Sequence, residues 1–294
     1  MAMTGGVVDV GSHTVRLLVA RREGGGLQTV HSEGVRVGLG REIEERGRIS
    51  EVKLADAAKT VRKLCTLARR HGAEHVEVLV TAPGRQSANA RELVAVLERA
   101  AKTSVQVLSA EEEARLAFVG AVSVARPSAG LVGVCDLGGA STELAIGIPG
   151  REPTWIRSVE LGALRLTVRR LPDERPSEEE LEVARREVED VFRGFAPPLP
   201  GAALVVGGTA RALRKLVGPT LGPDELAQAV SELSSRSHSA IARRHGVDRR
   251  RTPLLLGGAL ILSEVQRRLV VPLEVVGAGL REGALVRSLD AVAA

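Results

Sequence analysis

The feature that most constrains the fold is a glycine-rich segment between two apolar runs, V-C-D-L-G-G-A-S-T-E-L-A-I-G at Val134 to Gly147. Apolar residues on both sides of a glycine pair predict a strand, a tight turn and a second strand. The tip carries Asp136, Gly138, Gly139, Ser141, Thr142 and Glu143. Glycines let the backbone approach a ligand closely and leave N–H groups available to an anion. The segment is therefore a candidate phosphate-binding hairpin.

The same pattern occurs near the start of the chain, at Val7 to Ala20, which is V-V-D-V-G-S-H-T-V-R-L-L-V-A. In the alignment of the two segments, Asp9 corresponds to Asp136, Gly11 to Gly138 and, with one extra residue in the second copy, Thr14 to Thr142. Two such hairpins predict a duplicated domain whose copies face each other across a cleft.

Length and composition predict a globular protein. The chain has 294 residues, of which 44% are hydrophobic and 26% charged, and this is enough for two domains. It lacks both a stretch of about 18 apolar residues and a basic start followed by an apolar run, so we expect a cytoplasmic protein with no membrane partner. Cys65 and Cys135 have no metal or redox spacing and are expected in the core.

The net charge of +5 is carried mostly by arginine. Arginine binds phosphate oxygens well, so the excess indicates either a polyanionic ligand or a coding bias. The aromatic residues are three phenylalanines and one tryptophan, with no tyrosine. Because single-stranded nucleic acids are usually bound by stacking on aromatic rings, nucleic acid is not an expected partner.

In the first half, periodicity and turn residues predict a third strand at 27–37, a loop at 38–47, a helix at 50–71, a strand at 76–80, a loop at 81–89, a helix at 88–101 and a strand at 105–108. Loops at the carboxyl ends of strands often bind ligands. Arg85 in the second loop is thus either a phosphate ligand or a solvated arginine. Ser109 and Glu112 have capping-box spacing, whereas Glu113 either serves the helix dipole or has a function.

The segment Arg126 to Gly130 is the predicted linker, giving domains at 1–126 and 127–294, with the last helix, about 280–292, a candidate to pack back on the first domain. The second half has predicted strands at 154–160, 203–206 and 273–276, and helices at 161–170, 177–194, 223–244, 253–269 and from 281. The residues Gly207, Gly208 and Thr209 follow a strand and open a helix, as in anion-binding turns.

Five motifs together resemble the exopolyphosphatase and guanosine pentaphosphate phosphohydrolase family. They are D-V-G-S-H-T-V-R-L-L-V near the start, L-S-A-E-E-E-A-R-L-A-F-V-G at 108–120, D-L-G-G-A-S-T-E-L at 136–144, G-G-T at 207–209 and G-L-R-E-G-A-L at 279–285. They follow the family's order over nearly the whole chain, which looks like the short, two-domain form.

The resemblance implies an α/β fold of two duplicated actin-like domains. These are ribonuclease-H-like domains of the superfamily that includes sugar kinases and heat-shock ATPases (ASKHA), with the active site in the cleft between them. It also implies a homodimer and a reaction that uses Mg²⁺ or another divalent cation. In that reaction, water attacks the terminal phosphoryl group of polyphosphate or the 5′-phosphate of guanosine pentaphosphate.

The resemblance also implies roles for individual residues. Glu113 matches the family's general base, and Asp136 and Glu143 match acids that bind metal, Glu143 also positioning the water. The phosphate-binding residues that it implies are Asp9, Gly11, Ser12, His13, Arg85, Gly138, Gly139, Ser141, Gly208 and Thr209.

The chain departs from the family pattern around two of these residues. His13 replaces an asparagine and either contacts phosphate or fills its place. Gln86 replaces an aspartate beside Arg85, Pro83 and Gly84 replace the residues before it, and Ala140 replaces a third glycine. Exopolyphosphatase is the first hypothesis; the alternatives are a guanosine pentaphosphate phosphohydrolase and a binding protein with little turnover.

Overall fold

The structure is a computed structural model that describes residues 3–23, 26–127 and 130–293. The described residues form two compact units. The first contains the residues up to Val124 together with those from Leu280 onward, and the second is Ala125–Gly279. Ser128 and Ala129 of the predicted linker lie outside the described residues.

The elements of the first half are β1 (Thr4–Val10), β2 (Thr14–Glu23), β3 (Gly26–Arg36), α1 (Leu39–Arg46), α2 (Glu51–Arg70), β4 (His75–Val80), α3 (Ala82–Gln86), α4 (Ala90–Ala101), β5 (Val105–Val107) and α5 (Ala110–Ala125). They are followed by β6 (Val132–Leu137), β7 (Thr142–Gly147), β8 (Trp155–Val159), α6 (Ala163–Arg170), α7 (Glu178–Phe192), β9 (Ala202–Val206), α8 (Gly208–Val217), β10 (Thr220–Leu221), α9 (Pro223–Ser235), α10 (His238–His245), a 3₁₀-helix (Thr252–Leu254), α11 (Leu255–Leu269), β11 (Leu273–Val275) and α12 (Leu280–Ala293).

The sheet of the first unit has the strand order β3-β2-β1-β4-β5. The first three strands are antiparallel, and β4 and β5 run parallel to β1. Alternate residues of β1 face opposite layers, because side chains alternate along a strand. Val8 and Val10 pack in the core that contains residues of α2 and α4. Val7 packs on the other face with Leu116 of α5 and Leu285 of α12.

The sheet of the second unit has the order β10-β11-β9-β6-β7-β8. Strands β6, β7 and β8 are antiparallel, and β9 and β11 run parallel to β6. Without the short edge strand β10, this is the arrangement of the first unit. The predicted duplication of a strand-turn-strand unit is therefore confirmed by the topology of both sheets.

The predicted loop at 38–47 is wrong, because this segment contains helix α1. Gly38 and Gly47 adopt left-handed conformations at its two ends, and Leu39 and Ile43 are buried between them. The glycines are thus caps and not signs of an irregular segment. Only two residues separate β3 from α1, and the start of α1 contacts the turn between β1 and β2.

Two further predictions need correction. The predicted loop at 81–89 contains the short helix α3, which has a proline in its first turn. The predicted helix at 223–244 is two helices, because the Ser237 hydroxyl accepts a hydrogen bond from the amide of Ala240 and starts α10. Cys65 and Cys135 are buried, as expected, and both are free thiols. None of the helices that the structure describes is long and apolar enough to cross a membrane.

Candidate active site

The two glycine turns have the same structure. In the first unit, Val10 pairs with Val15, and the amide of Gly11 donates a 3.1 Å hydrogen bond to the carbonyl of Thr14. In the second unit, Leu137 pairs with Thr142, and the amide of Gly138 donates a 3.0 Å bond to the carbonyl of Ser141. Each pair encloses four residues, Gly11 to Thr14 and Gly138 to Ser141.

This geometry corrects the sequence alignment of the two hairpins. Thr14 corresponds to Ser141 and not to Thr142, so the second copy has no extra residue. The matching of Asp9 with Asp136 and of Gly11 with Gly138 is consistent with the structure. The sequence alignment contained a gap because it matched Thr14 with another threonine. The strand pairing in the structure fixes the register without a gap.

An acidic pair lies on one face of β6 and β7. Asp136 and Glu143 are direct cross-strand partners, so their side chains are neighbours. Glu143 is only 1% exposed, and the hydroxyl of Ser158 donates a 2.9 Å hydrogen bond to its Oε1. In the first unit the corresponding partners are Asp9 and Arg16. Only the second unit therefore places two carboxylates together at this position.

The carboxylate pair fits a magnesium ion. Mg²⁺ prefers oxygen ligands and is commonly held by one or two carboxylates, with waters and substrate phosphates completing its coordination. In the described ranges, no cluster of three or more His, Cys, Asp and Glu side chains could hold a metal. Two neighbouring carboxylates suit a cation whose other ligands are waters and substrate phosphates.

The second unit has another glycine turn, at 207–209, which lies beside the turn at 138–141. Strand β9 pairs with β6 so that Val206 is opposite Asp136, and helix α8 starts at Gly208. A Cβ at Gly207 would lie 3.5 Å from Oδ1 of Asp136. Thr209, in the first turn of α8, is buried. The structure thus brings the acidic pair, the turn at 138–141 and the start of α8 to one edge of the sheet.

Glu113 and Arg85 form an ion pair in the first unit. Nη1 of Arg85 donates a 2.9 Å hydrogen bond to Oε2 of Glu113 and a 2.8 Å bond to the carbonyl of Leu108. Glu113 is 7% exposed. The pair lies at the edge where β1, β4 and β5 end, which is also the edge of the Gly11 turn. Carboxyl ends of parallel strands are a frequent place for ligands.

The three acids at the start of α5 have different environments. Glu112 forms the predicted capping box, because its Oε2 accepts from the amide of Ser109 and its own amide donates to the Ser109 hydroxyl. Glu111 is exposed and pairs with Arg115. Glu113 alone is buried, so the helix dipole does not explain its position.

Ser12 and His13 form the middle of the first turn. Ser12 is buried, and its carbonyl accepts a 2.7 Å hydrogen bond from the amide of Gly40 in α1. The carbonyl of His13 accepts from the amides of Val37 and Gly38. Ala140 in the second turn is also buried. The turn at 11–14 is therefore held from its carbonyl side.

Asp9 carries a buried oxygen, Oδ1, for which the described part of the chain supplies no hydrogen-bond partner. Burial raises the pKa of Asp9, and the positive charges of Arg281 and Arg16 oppose this effect. Arg281 is itself buried and donates to the carbonyl of Leu17. The sequence placed Arg16 and Arg281 within two motifs but gave them no role.

The raised pKa predicts that Asp9→Asn stabilises the protein at neutral pH. The folded protein holds the Asp9 proton to a higher pH than the unfolded chain does, so stability falls as pH rises above about 4 through the folded pKa. Asparagine does not titrate and avoids this loss. We expect a higher Tm at pH 7 for the variant than for the native protein, and a difference that shrinks as the pH falls below about 4, as measured by circular dichroism. A variant with an equal or lower Tm at pH 7 would contradict the assignment.

Comparison with known proteins gives consistent matches. The sequence matches the Ppx/GppA phosphatase family over residues 18–292. Exopolyphosphatase 1 of Mycobacterium tuberculosis (strain ATCC 25618 / H37Rv) is 28% identical over 98% of this chain and 89% of that protein. An uncharacterized protein of Streptomyces coelicolor is 31% identical over 97% of this chain and 90% of that protein.

Solved structures are also similar. The Aquifex aeolicus member of the Ppx/GppA family has 26% identity and a TM-score of 0.84, with 99% of both chains covered. An exopolyphosphatase from Cytophaga hutchinsonii, at 21% identity and a TM-score of 0.89 over 98% of both chains, supports the fold. These likenesses confirm the expected actin-like fold of two domains. The chain therefore belongs to the Ppx/GppA phosphatase family and is a hydrolase of phosphoanhydride bonds.

Proposed function

We propose that the chain is an exopolyphosphatase, which hydrolyses the terminal phosphoanhydride of linear polyphosphate and releases orthophosphate. The observation that carries the proposal is the buried carboxylate of Glu113, bound by Arg85 at the sheet edge that also carries the Gly11 turn. The similarity to mycobacterial exopolyphosphatases over nearly the whole chain supports the same substrate class.

We assign phosphate binding to the turns at 11–13 and 138–141 and to Gly208 and Thr209. Glycine turns and helix starts present N–H groups to anions, and α8 adds the positive end of its dipole. Asp9 lies in β1, two residues before Gly11, and we keep it in the proposed phosphate-binding set because it is next to this turn. A phosphoryl transfer needs mainly positioning and neutralisation of charge, which such groups supply.

We assign the divalent cation to Asp136 and Glu143. A bound Mg²⁺ would neutralise phosphate charge next to these two acids. Glu143 is also proposed to orient the attacking water, since its buried carboxylate has one oxygen fixed by Ser158. The two acids otherwise repel a polyanion, so the protein's affinity for substrate depends on the cation as well.

Glu113 is the proposed general base. As the water oxygen forms a bond to the terminal phosphorus, the water proton moves to Glu113 and the P–O bond to the rest of the chain breaks. Arg85 orients the Glu113 carboxylate through Nη1. A guanidinium carries five N–H donors, so Arg85 can serve Glu113 and a phosphate oxygen together.

The test is phosphate release by the purified protein with Mg²⁺, on short polyphosphate, long polyphosphate and guanosine pentaphosphate in parallel. We expect release from polyphosphate, its loss with EDTA, and weak inhibition by guanosine pentaphosphate. Faster release from guanosine pentaphosphate would instead assign the nucleotide activity. Tight binding of polyphosphate without release, under any divalent metal, would identify a binding protein.

The family resemblance also leads us to propose a homodimer. Sedimentation velocity distinguishes a particle of two chains of 31.0 kDa from a single chain. A single species with the mass of one chain at micromolar concentration would contradict this part of the proposal.

A further inference from the structure

Helix α6 begins directly against the carbonyl side of the turn at 138–141. The amide of Ala163 donates a 3.0 Å hydrogen bond to the carbonyl of Gly138. The amides of Leu164 and Arg165 donate bonds of 2.8 and 3.0 Å to the carbonyl of Gly139. The first amides of a helix have no partner within the helix, so α6 uses them to bind the turn.

These bonds fix the direction of the turn's own amides. In a planar trans peptide, the C=O of one residue and the N–H of the next point in opposite directions. Because the carbonyls of Gly138 and Gly139 face α6, the amides of Gly139 and Ala140 face away from it. In the described part of the chain neither amide donates to an acceptor. Helix α6 thus directs two N–H groups to the side on which an anion can bind.

Gly162 makes this approach sterically possible. A Cβ at residue 162 would lie 2.5 Å from the carbonyl carbon of Gly139, 2.6 Å from its oxygen and 2.7 Å from the nitrogen of Ala140. All three are backbone atoms of the turn, so they cannot move aside as a flexible side chain can. The hydroxyl of Thr142 adds a second attachment, a 2.6 Å hydrogen bond to the carbonyl of Leu161.

The first unit repeats the device with different residues. Helix α1 follows the third strand, as α6 does. The amide of Gly40 in α1 binds the carbonyl of Ser12, and the amides of Val37 and Gly38 just before α1 bind that of His13. By the corrected alignment Ser12 corresponds to Gly139, so the same carbonyl is bound in both units. The amide of His13 then faces away from α1, as that of Ala140 faces away from α6. Gly38, the N-cap of α1, corresponds to Gly162, the N-cap of α6, so both copies of the duplicated unit have this arrangement.

We propose that Gly162 and the Leu161–Thr142 hydrogen bond are positioning elements, which hold the amides of Gly139 and Ala140 where they bind a phosphoryl group of the substrate. The inference rests on the proposed function, because it explains how the turn that binds phosphate in that function is held in its geometry. Gly162 itself does not touch the substrate. Its effect on catalysis passes through the orientation of the turn.

The test uses the full chain and four variants. Gly162→Ala displaces the turn, Thr142→Val removes the second attachment, and Thr142→Ser restores the hydroxyl. Gly277→Ala is the matched control, because a Cβ there meets nothing within 4 Å. The measurements are kcat and KM for polyphosphate, Tm, and the amide NMR shifts of Gly139 and Ala140 on titration with inorganic pyrophosphate and Mg²⁺.

We expect pyrophosphate to shift both amides in the native chain and in Gly277→Ala. Gly162→Ala should lower kcat about 100-fold and Thr142→Val about 10-fold, with smaller effects on KM, because misplaced donors act mainly on the transition state. Thr142→Ser should return kcat to within about twofold of the native value, as its hydroxyl retains the bond to Leu161. If Gly162→Ala fails to fold, the threonine pair carries the test.

Several outcomes would overturn the inference. In one, Thr142→Val keeps the native kcat and amide shifts. In another, Thr142→Ser is no better than Thr142→Val, and in a third, native protein releases phosphate while pyrophosphate leaves both amides unshifted. Absence of phosphate release by the native protein would instead reject the proposed function, while the pyrophosphate titration still tests the turn.

Discussion

Replacing Glu113 with Gln should lower kcat for phosphate release from polyphosphate by about 10²- to 10⁴-fold, the range that general-base catalysis contributes. Glutamine has nearly the same shape and keeps an oxygen for Arg85, whose Nη1 now binds Oε2 of Glu113. It cannot accept a proton from water. Binding of polyphosphate should therefore remain within about threefold of the native affinity, because the substitution removes an interaction made in the transition state.

The control for this prediction is Glu112→Gln. Glu112 is in the same helical turn but its carboxylate caps α5, and a glutamine oxygen can still accept from the amide of Ser109. We expect native activity and Tm from this variant. Full activity of Glu113→Gln, or equal losses in both variants, would show that Glu113 is not the base.

Gly207→Ala should destabilise the second unit by roughly 2–5 kcal/mol and abolish phosphate release, combining the costs of backbone strain and overpacking. Gly207 has φ 109° and ψ 165°, a region that essentially only glycine adopts. A Cβ would also lie 2.5 Å from the carbonyl oxygen of Leu137, at the start of the 138–141 turn. The backbone strain and the steric contact both occur where the turn at 207–209 meets the turn at 138–141.

The measurement is thermal unfolding followed by circular dichroism, where we expect Tm to fall by roughly 5–15 °C. Gly277→Ala is again the control, since it adds the same methyl group in open space. A Gly207→Ala protein with native Tm would mean that the backbone of this turn relaxes at little cost. That result would remove the reason for a glycine before Gly208.

The hairpins were predictable because two kinds of local signal agree there. Around Gly11 and Gly138, alternating apolar residues specify strands and the glycines specify a turn, and the observed pairing follows both. The register was not predictable, since Thr14 can be placed over Ser141 or Thr142 with equal local support. Only the hydrogen bonds that close each turn decide between them.

Helix α1 shows why the composition of residues 38–47 led to the wrong prediction of a loop. Its segment between Gly38 and Gly47 is charged and short, so it resembles a loop when only neighbours along the chain are considered. The helix forms because Leu39 and Ile43 are buried in the core that contains residues of α2 and α4. Tertiary packing often overrides weak local preference in this way.

For the candidate site, the family resemblance supplied more than local pattern could. Glu113 looked like one of three ordinary acids at a helix start, and its burial beside Arg85 depends on β4 and β5 lying next to each other. Gly162 had no local signal, because a glycine before a helix is common. Its importance comes from the turn residues that α6 approaches, which precede it by more than twenty positions.

Partial hydrolysis of polyphosphate in ¹⁸O-enriched water tests most directly that water attacks the terminal phosphorus at this site. We expect each released orthophosphate to carry one ¹⁸O and the shortened chains to carry none, with little release by the Glu113→Gln variant. Label in the remaining chains and not in the orthophosphate would contradict terminal attack. Absence of orthophosphate release with any divalent metal would contradict the assignment of this chain as an exopolyphosphatase.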